Sequence, residues 1–412
     1  MTTSPNPAAR HSGRRFFGLV IVHLVVGVIG GSIWWFYDDS DLDVVRARAR
    51  THGHPLSWND LGLTLADDAR LSQWKRVTDL VARLKSYQSL TTPQRQQDKP
   101  YHLWDPVPDQ MRTHHATLDG AAIAELMELL DRLGETPLVL YEQSTYSPPM
   151  REIDVARNLM RFLQERVLLA EPADVGILCR RMLAVTRRYW AGSLIQHSIR
   201  NSFIDVVLSA IARRLVEVKQ HDPAIATEIL SVSRRSNDDL RWALDGNFVM
   251  LFDALTRRDS EYGLGLGARG LYTPVITRAG RQRTLMMCLD AIEHLRPHDF
   301  RGSLAWAREA DAEFRTAQTG FPYPSLTLHE IFMPVWSHSF AVGERTALRA
   351  RLLAAELLGN PWPADSFDKD GQGLRPITRD GRVIAAYSVD IDGIDQGGVD
   401  KLDRIFPLYA KP

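Results

Sequence analysis

The sequence predicts a mainly α-helical protein with an N-terminal transmembrane helix, a multi-helix bundle or irregular α-solenoid, and a small C-terminal β-hairpin unit. Three observations support this fold class. One uncharged apolar run lies near the start, apolar residues then recur with a period of about 3.6 residues, and turn-rich alternating sequence follows Gly359. The expected parts are a cytoplasmic tail (1–15), the transmembrane helix (16–37), a connector with one or two helices (38–116), an α-helical body (117–359) and a hairpin tail (360–412).

The overall composition excludes several classes of protein. The 412 residues carry 50 basic and 50 acidic side chains, and 44% of them are hydrophobic. An intrinsically disordered chain needs low hydrophobicity with high net charge, so this class is excluded. A nucleic-acid partner is not expected, because the two charge signs balance and are interleaved along the chain. Only one long apolar run is present, which excludes a polytopic membrane protein.

The apolar run at residues 16–37 predicts a single membrane-spanning helix. Its sequence, FFGLVIVHLVVGVIGGSIWWFY, has no charged residue. A helix of this length measures about 33 Å, enough for a hydrocarbon core of roughly 30 Å. Three arginines precede it and four aspartates follow closely, so the N-terminus is expected in the cytoplasm and the body in the periplasm. The sequence thus predicts a single-pass inner-membrane protein whose partner is the lipid bilayer. A cleaved signal peptide is the alternative, but its apolar region would be shorter.

The residues after this run show helical periodicity interrupted by connectors. Residues 42–68 and 90–116 are poor in periodicity and contain Pro55 and four further prolines, respectively, around a helix expected near 68–89. Asp119 is expected to cap a helix that runs to Gly134. Asp222-Pro223 is expected to begin another helix, and a capping box at Ser236 and Asp239 precedes one over 238–258. Further helices are predicted over 151–170, 172–190, 198–218, 282–295, 299–318 and 341–358.

A glycine-rich segment at 260–281 is predicted to interrupt the helices as a loop. It contains Gly265, Gly267 and Gly270 in the spacing of a dinucleotide-binding fingerprint. That fingerprint binds phosphate only between a strand and a helix, and no strand precedes it here. We therefore expect a loop and no bound nucleotide.

The C-terminal part is predicted to form a β-hairpin. Residues 382–389 (RVIAAYSV) read as a strand, and residues 375–378 provide the partner strand. Arg379-Asp380-Gly381 between them provides the turn.

Two stretches resemble segments of known bacterial families. Asp365-Ser366-Phe367-Asp368, Gly373-Leu374-Arg375 and residues 387–393 (YSVDIDG) together resemble the tail of type II secretion pseudopilins. Residues 53–61 (GHPLSWNDL) are similar to a segment of uncharacterised, single-pass, membrane-anchored helical proteins of planctomycete-like bacteria. The resemblance covers about 60 residues. It implies an anchor, a helical body and a pseudopilin-like end, and it implies no reaction.

The best candidate site is an aspartate-rich loop within that tail. Four carboxylates that could ligate calcium lie on a glycine-containing segment, at Asp390, Asp392, Asp395 and Asp400. Calcium prefers six to eight oxygen ligands, and the resemblance implies a calcium site in this loop. The alternative is a solvated turn in which the aspartates bind their own backbone.

Histidines and cysteines give no second candidate in the sequence. His294 and His298 have the spacing of a helical metal pair, but Pro297 lies between them. His52 and His54 fall in a connector without nearby cysteines, so no zinc site is predicted there. Cys179 and Cys288 occur in apolar helical patterns, and the sequence leaves open whether they form a disulfide or two buried thiols.

No known catalytic motif is present, and no catalytic or cofactor-binding residue is predicted. The sequence favours a non-enzymatic envelope protein, a periplasmic scaffold or interaction module that binds an unknown envelope protein. The alternative is an extracytoplasmic enzyme acting on cell-wall glycan, with a site assembled from distant helices. A concave cleft lined by two carboxylates and tryptophan would favour this alternative.

Overall fold

The chain folds into a mainly helical body with a small three-stranded antiparallel sheet at the C-terminus, which confirms this part of the predicted fold class. A computed structural model describes residues 40–57, 59–61, 67–87, 107–132, 150–188, 194–256, 272–296, 299–318, 336–398 and 403–408. The predicted transmembrane segment, residues 16–37, lies outside these ranges. Among the described residues, no helix combines the length and the apolar character needed to cross a bilayer.

The described residues form a series of α-helices. They are α1 (Ser40–Thr51), α2 (Asp68–Leu84), α3 (Asp109–Ala116), α4 (Gly120–Arg132), α5 (Met150–Leu169), α6 (Val175–Arg188), α7 (Leu194–Arg213), α8 (Leu215–His221), α9 (Ile225–Thr256), α10 (Tyr272–His294), α11 (Phe300–Gln318) and α12 (Trp336–Leu358). Short 3₁₀ turns lie at Asn59–Leu61 and Pro172–Asp174. Helix α4 begins as predicted, because the Asp119 carboxylate accepts hydrogen bonds from the backbone N–H groups of Ala121 and Ala122.

Apolar side chains are buried in two cores. The first core is formed by α2, by α4 to α8, by the N-terminal half of α9, by most of α12 and by the sheet. The second core is formed by α1, the C-terminal half of α9, α10, α11 and the first turns of α12. Helices α9 and α12 pack against each other and contribute to both cores. Cys179 is buried in the first core and Cys288 in the second, and both are free thiols.

Three helical boundaries differ from the prediction. Helix α9 runs without interruption through the expected capping box at Ser236 and Asp239. Asp239 instead pairs with Arg200, so this carboxylate serves a tertiary contact. Helix α10 begins at Tyr272, ten residues before the expected start at 282, and thus takes up part of the predicted loop.

The third difference divides the helix predicted over 198–218. The chain leaves helical geometry at Arg214, which separates α7 from α8. The Arg214 guanidinium donates hydrogen bonds to the carbonyl oxygens of Val167, Leu168 and Ala170 at the end of α5. These carbonyls have no partner within their own helix, so the break supplies a cap for α5.

The C-terminal sheet has the order β1 (Arg375–Arg379), β2 (Arg382–Ser388) and β3 (Arg404–Pro407), all antiparallel. The predicted hairpin of β1 and β2 is confirmed. Its turn residues Asp380 and Gly381 both have positive φ, 52° and 73°, as a two-residue type I′ turn requires. Strand β3 was not predicted, because only four residues of it are strand.

Candidate functional site

The end of helix α1 forms a tight reversal that brings two histidines together. The backbone N–H of His54 donates to the carbonyl of Ala49, and that of Gly53 donates to the carbonyl of Arg50. This pair of hydrogen bonds defines a Schellman motif, with Gly53 in the left-handed region at a φ of 70°. The motif places His52 and His54 on either side of the glycine, next to the C-terminal turn of α10.

The last turn of α10 provides acidic side chains at this junction. Arg48 donates hydrogen bonds to both carboxylate oxygens of Glu293, at 3.0 and 2.7 Å, and to Asp290 at 2.6 Å. Burial raises the pKa of Glu293, but the hydrogen bonds from Arg48 and His52 outweigh burial, and the resulting pKa lies below its usual value. Glu293 is therefore an ionised carboxylate at neutral pH.

The two histidine rings face this carboxylate. His52 Nδ1 lies 2.7 Å from Glu293 Oε1, and His54 Nε2 lies 3.7 Å from the same oxygen. His54 Nδ1 lies 3.5 Å from Oδ1 of Asp245 on α9. Both His54 Nε2 and Asp245 Oδ1 are buried and have no hydrogen-bond partner. Of the residues that the structure describes, His52, His54 and Glu293 form the one group of three potential metal ligands whose ligand atoms all lie within 4.8 Å of one another.

An open groove lies beside this junction. Its volume is about 400 Å³, and Asp239, Arg241, Trp242 and Asp245 line it from the surface of α9. Two carboxylates and one tryptophan thus share a concave surface, the arrangement that the enzymatic alternative requires. One of these carboxylates, Asp239, pairs with Arg200 at 2.5 Å.

The predicted calcium loop follows strand β2 in the C-terminal tail. Asp390 forms two hydrogen bonds with Arg345 on α12, at 2.6 and 2.8 Å. Asp395 pairs with Arg375 at 2.9 Å and accepts a hydrogen bond from the Tyr387 hydroxyl.

The remaining carboxylates of this loop differ in their surroundings. Asp392 accepts hydrogen bonds from the backbone N–H of Ile394 and from the Gln396 amide, so it forms the kind of turn named as the alternative. Asp400 lies outside the described residues. Calcium binding by this loop stays a prediction, and a calcium ion would have to share Asp390 and Asp395 with the two arginines.

The remaining residues that the sequence analysis names are His294, His298 and the glycines at 265–270. His294 stacks on Trp306 with ring centroids 4.8 Å apart, and its Nδ1 lies 2.8 Å from the Asp290 carbonyl oxygen. His298 and the glycines at 265–270 lie outside the described part of the chain.

Sequence reasoning missed the His52–His54–Glu293 group. The interpretation of His52 and His54 as connector residues considered only nearby ligands, whereas Glu293 is about 240 residues away along the chain. The local signal was the His-Gly-His-Pro string, in which glycine follows a helix and proline follows the cap.

No protein-family model matches this chain, and neither a curated protein nor a solved structure matches it significantly. The resemblance of the C-terminal residues to pseudopilin tails, and that of residues 53–61 to membrane-anchored helical proteins, therefore stay predictions from the sequence.

Proposed function

We propose that this chain is an envelope protein that residues 16–37 hold at the inner membrane. Its helical body lies in the periplasm close to the bilayer and acts as a non-enzymatic scaffold or interaction module. The observation that carries this proposal is the packing of α1 on the body. Helix α1 begins at Ser40, three residues after the apolar run, and its Leu42, Val45 and Ala49 are fully buried in the second core.

Ion pairs also fasten α1 to α10. Asp41 pairs with Arg281 near the start of α1, and Arg48 pairs with Asp290 and Glu293 near its end. The three residue steps from Tyr37 to Ser40 can span at most about 11 Å. A membrane helix at 16–37 would therefore hold the body against the bilayer surface. Such a body can reach partners that are themselves embedded in the membrane or lie at its surface.

Topology provides the first experiment. The full chain carries alkaline phosphatase, which is active only in the periplasm, fused at its C-terminus, and cells are fractionated into membrane and soluble parts. We expect an active fusion in the membrane fraction, and release from that fraction when residues 16–37 are deleted. An inactive fusion, or a wild-type chain in the soluble fraction, would contradict the proposed anchoring.

Site-specific photocrosslinking tests the interaction module. The side chain of Val44 on α1 is 52% exposed, and that of Val216 on α8, which belongs to the other core, is 54% exposed. A photoreactive residue at Val44 should crosslink an envelope protein in cells, and the matched residue at Val216 should not. Crosslinking equal at both positions, or absent from both, would refute a membrane-proximal interaction surface.

The groove on α9 favours a second candidate, an extracytoplasmic enzyme that acts on cell-wall glycan. Trp242 offers a stacking surface for a sugar ring, and Asp239 and Asp245 offer two carboxylates. Arg200 already pairs with the Asp239 carboxylate, so this oxygen is not free to act on a substrate, and for this reason we rank the enzyme second. Release of soluble fragments from purified cell-wall sacculi by the wild type, and its loss in Asp239→Asn, would reverse this ranking.

A further inference from the structure

We propose that His52, His54 and Glu293 bind one divalent transition-metal ion, for which Zn²⁺ fits best, and that this ion fastens the end of α1 to the last turn of α10. Two imidazoles and one carboxylate form a donor set typical of zinc, with a fourth position for water. This inference concerns the described residues alone and does not depend on the membrane anchor.

The distances between ligand atoms already approach those of a metal centre. Ligands at about 2.0–2.1 Å from a tetrahedral zinc ion lie about 3.3 Å from one another. The His52 Nδ1–Glu293 Oε1 distance is 2.7 Å, and the His54 Nε2–Glu293 Oε1 distance is 3.7 Å. All three ligand atoms lie within 4.8 Å of one another. Shifts of about 1 Å or a little more in the side chains would therefore suffice.

The His54 ring has the surroundings of a metal ligand, with its Nε2 unpartnered and its Nδ1 facing a carboxylate. The His54 side chain is only 3% exposed, yet its Nε2 faces Glu293 without a hydrogen bond. A buried nitrogen without a partner is costly, and a metal ion would satisfy it. On the other side of the ring, Nδ1 faces the Asp245 carboxylate at 3.5 Å. Histidine ligands commonly donate their second N–H to such a carboxylate, which orients the ring and leaves the other nitrogen free for the metal.

The charge of the junction also favours a divalent cation. Asp290 and Glu293 carry two negative charges at the end of α10, and Arg48 supplies one positive charge, so one negative charge is left over. Asp290 and Glu293 lie in the last turn of α10, where the helix dipole disfavours anions. Arg48 can keep its 2.7 Å hydrogen bond to Glu293 Oε2 while Oε1 turns to the metal.

The site is also accessible. The His52 side chain is 45% exposed, so an ion can enter from solvent on that side without unfolding of the body. His52 is thus also the ligand whose replacement disturbs packing least, which decides the choice of variants.

Metal binding is tested on the purified full-length chain with Zn²⁺, by competition against a chromophoric chelator, and with Co²⁺, whose visible absorption reports its coordination. We expect one equivalent of Zn²⁺ to bind. We expect at least a tenfold loss of affinity in His52→Gln, in His54→Gln and in Glu293→Gln. Asp245→Asn should lower the affinity by about 10–100-fold, since it removes the group that orients His54.

The matched control is His221→Gln, which replaces an exposed histidine at the end of α8 and should bind zinc as the wild type does. Far-ultraviolet circular dichroism without metal shows which variants are folded. If His54→Gln fails to fold, His52→Gln still decides the question. Absence of zinc binding by the wild type, or equal affinity in wild type and His52→Gln, would overturn the proposal and leave an ion-pair cluster at this junction.

A second readout separates a metal centre from ion pairing. Zn²⁺ should raise the melting temperature of the wild type and of His221→Gln, and it should raise that of His52→Gln clearly less, because stabilisation by a ligand grows with its affinity for the folded state. An equal zinc-induced shift in all three proteins would place the binding elsewhere and refute the site.

Discussion

Replacing Asp365 should loosen the C-terminal sheet at the end of β2, where this side chain holds the strand. The side chain is fully buried, seven residues after the end of α12 and immediately before a turn at residues 366–367. Its Oδ1 accepts hydrogen bonds from the Phe367 backbone N–H at 3.0 Å and from the Ser388 hydroxyl at 2.8 Å. Its Oδ2 accepts one from the Val389 backbone N–H at 3.0 Å. One carboxylate therefore connects the segment before β1 with the end of β2.

The magnitude follows from these three hydrogen bonds. Hydrogen bonds to a charged group contribute about 1.5–3 kcal/mol each, so Asp365→Ala should cost about 4–5 kcal/mol even at the lower value. Asp365→Asn can keep both bonds to Oδ1 but places an amide against the Val389 N–H, and we expect it to cost about 1–3 kcal/mol. Ser388→Ala removes only one of the three donors and should cost about 1 kcal/mol.

The assay is urea denaturation followed by circular dichroism, together with amide hydrogen exchange of β2. Exchange should accelerate most in Asp365→Ala, because β2 loses the contact that holds its end. We expect Asp365→Ala to lose the most free energy of unfolding, Asp365→Asn less, and Ser388→Ala the least. A free energy of unfolding for Asp365→Ala within 1 kcal/mol of the wild type, with unchanged exchange in β2, would refute the role assigned to this carboxylate.

Three further predictions concern single residues. Gly53→Ala should lower the free energy of unfolding by about 1–2 kcal/mol in thermal denaturation. The space for a Cβ is open, but alanine must adopt a φ of 70°, which costs energy. An unchanged melting temperature would contradict the helix cap at this position. Burial, with a smaller effect of the positive charge of Arg200, lowers the pKa of His197 to about 3 from 6.5 in the unfolded chain. Between these pH values only the unfolded chain binds this proton, so the free energy of unfolding should fall as the pH drops from 6.5 toward 3, by up to about 1.4 kcal/mol per pH unit. Denaturation at several pH values should show a shallower dependence on pH in His197→Gln than in the wild type. Equal slopes would disprove a buried neutral His197. Burial raises the pKa of the Cys179 thiol to about 12 and also raises the pKa of Cys288. Neither thiol should therefore react with an aromatic disulfide reagent at pH 8 until the chain unfolds. Rapid labelling of the native protein would contradict this and show that one thiol is accessible.

Local signals predicted those elements whose ends are determined by neighbouring residues. Asp119 caps α4 and the Asp380-Gly381 turn closes the hairpin, because both depend on hydrogen bonds and dihedral angles within a few residues. Ser236 and Asp239 carry an equally local capping signal, yet α9 continues through them. Tertiary contacts decide here, since Asp239 pairs with Arg200 and the flanking apolar residues are buried in the two cores.

The candidate site could not be predicted for a related reason. His52 and His54 are near in sequence, but Glu293 and Asp245 reach them only through the packing of α1 on α9 and α10. The aspartate loop shows the converse. The sequence grouped four carboxylates, but it could not show that Asp390 and Asp395 face arginines of α12 and β1. Contacts between distant segments are set by the fold, and local spacing does not encode them.

The two long helices that run through both cores have a mechanical consequence. Helix α9 has 32 residues and is about 48 Å long, and α12 lies against it over both cores. Neither core can come apart without disturbing the side chains that these two helices contribute to the other, and tightly packed interiors transmit strain. A pulling force on α1 would therefore pass from the second core through both helices into the first core, which includes the sheet. The body would yield as one unit at a single threshold instead of core by core.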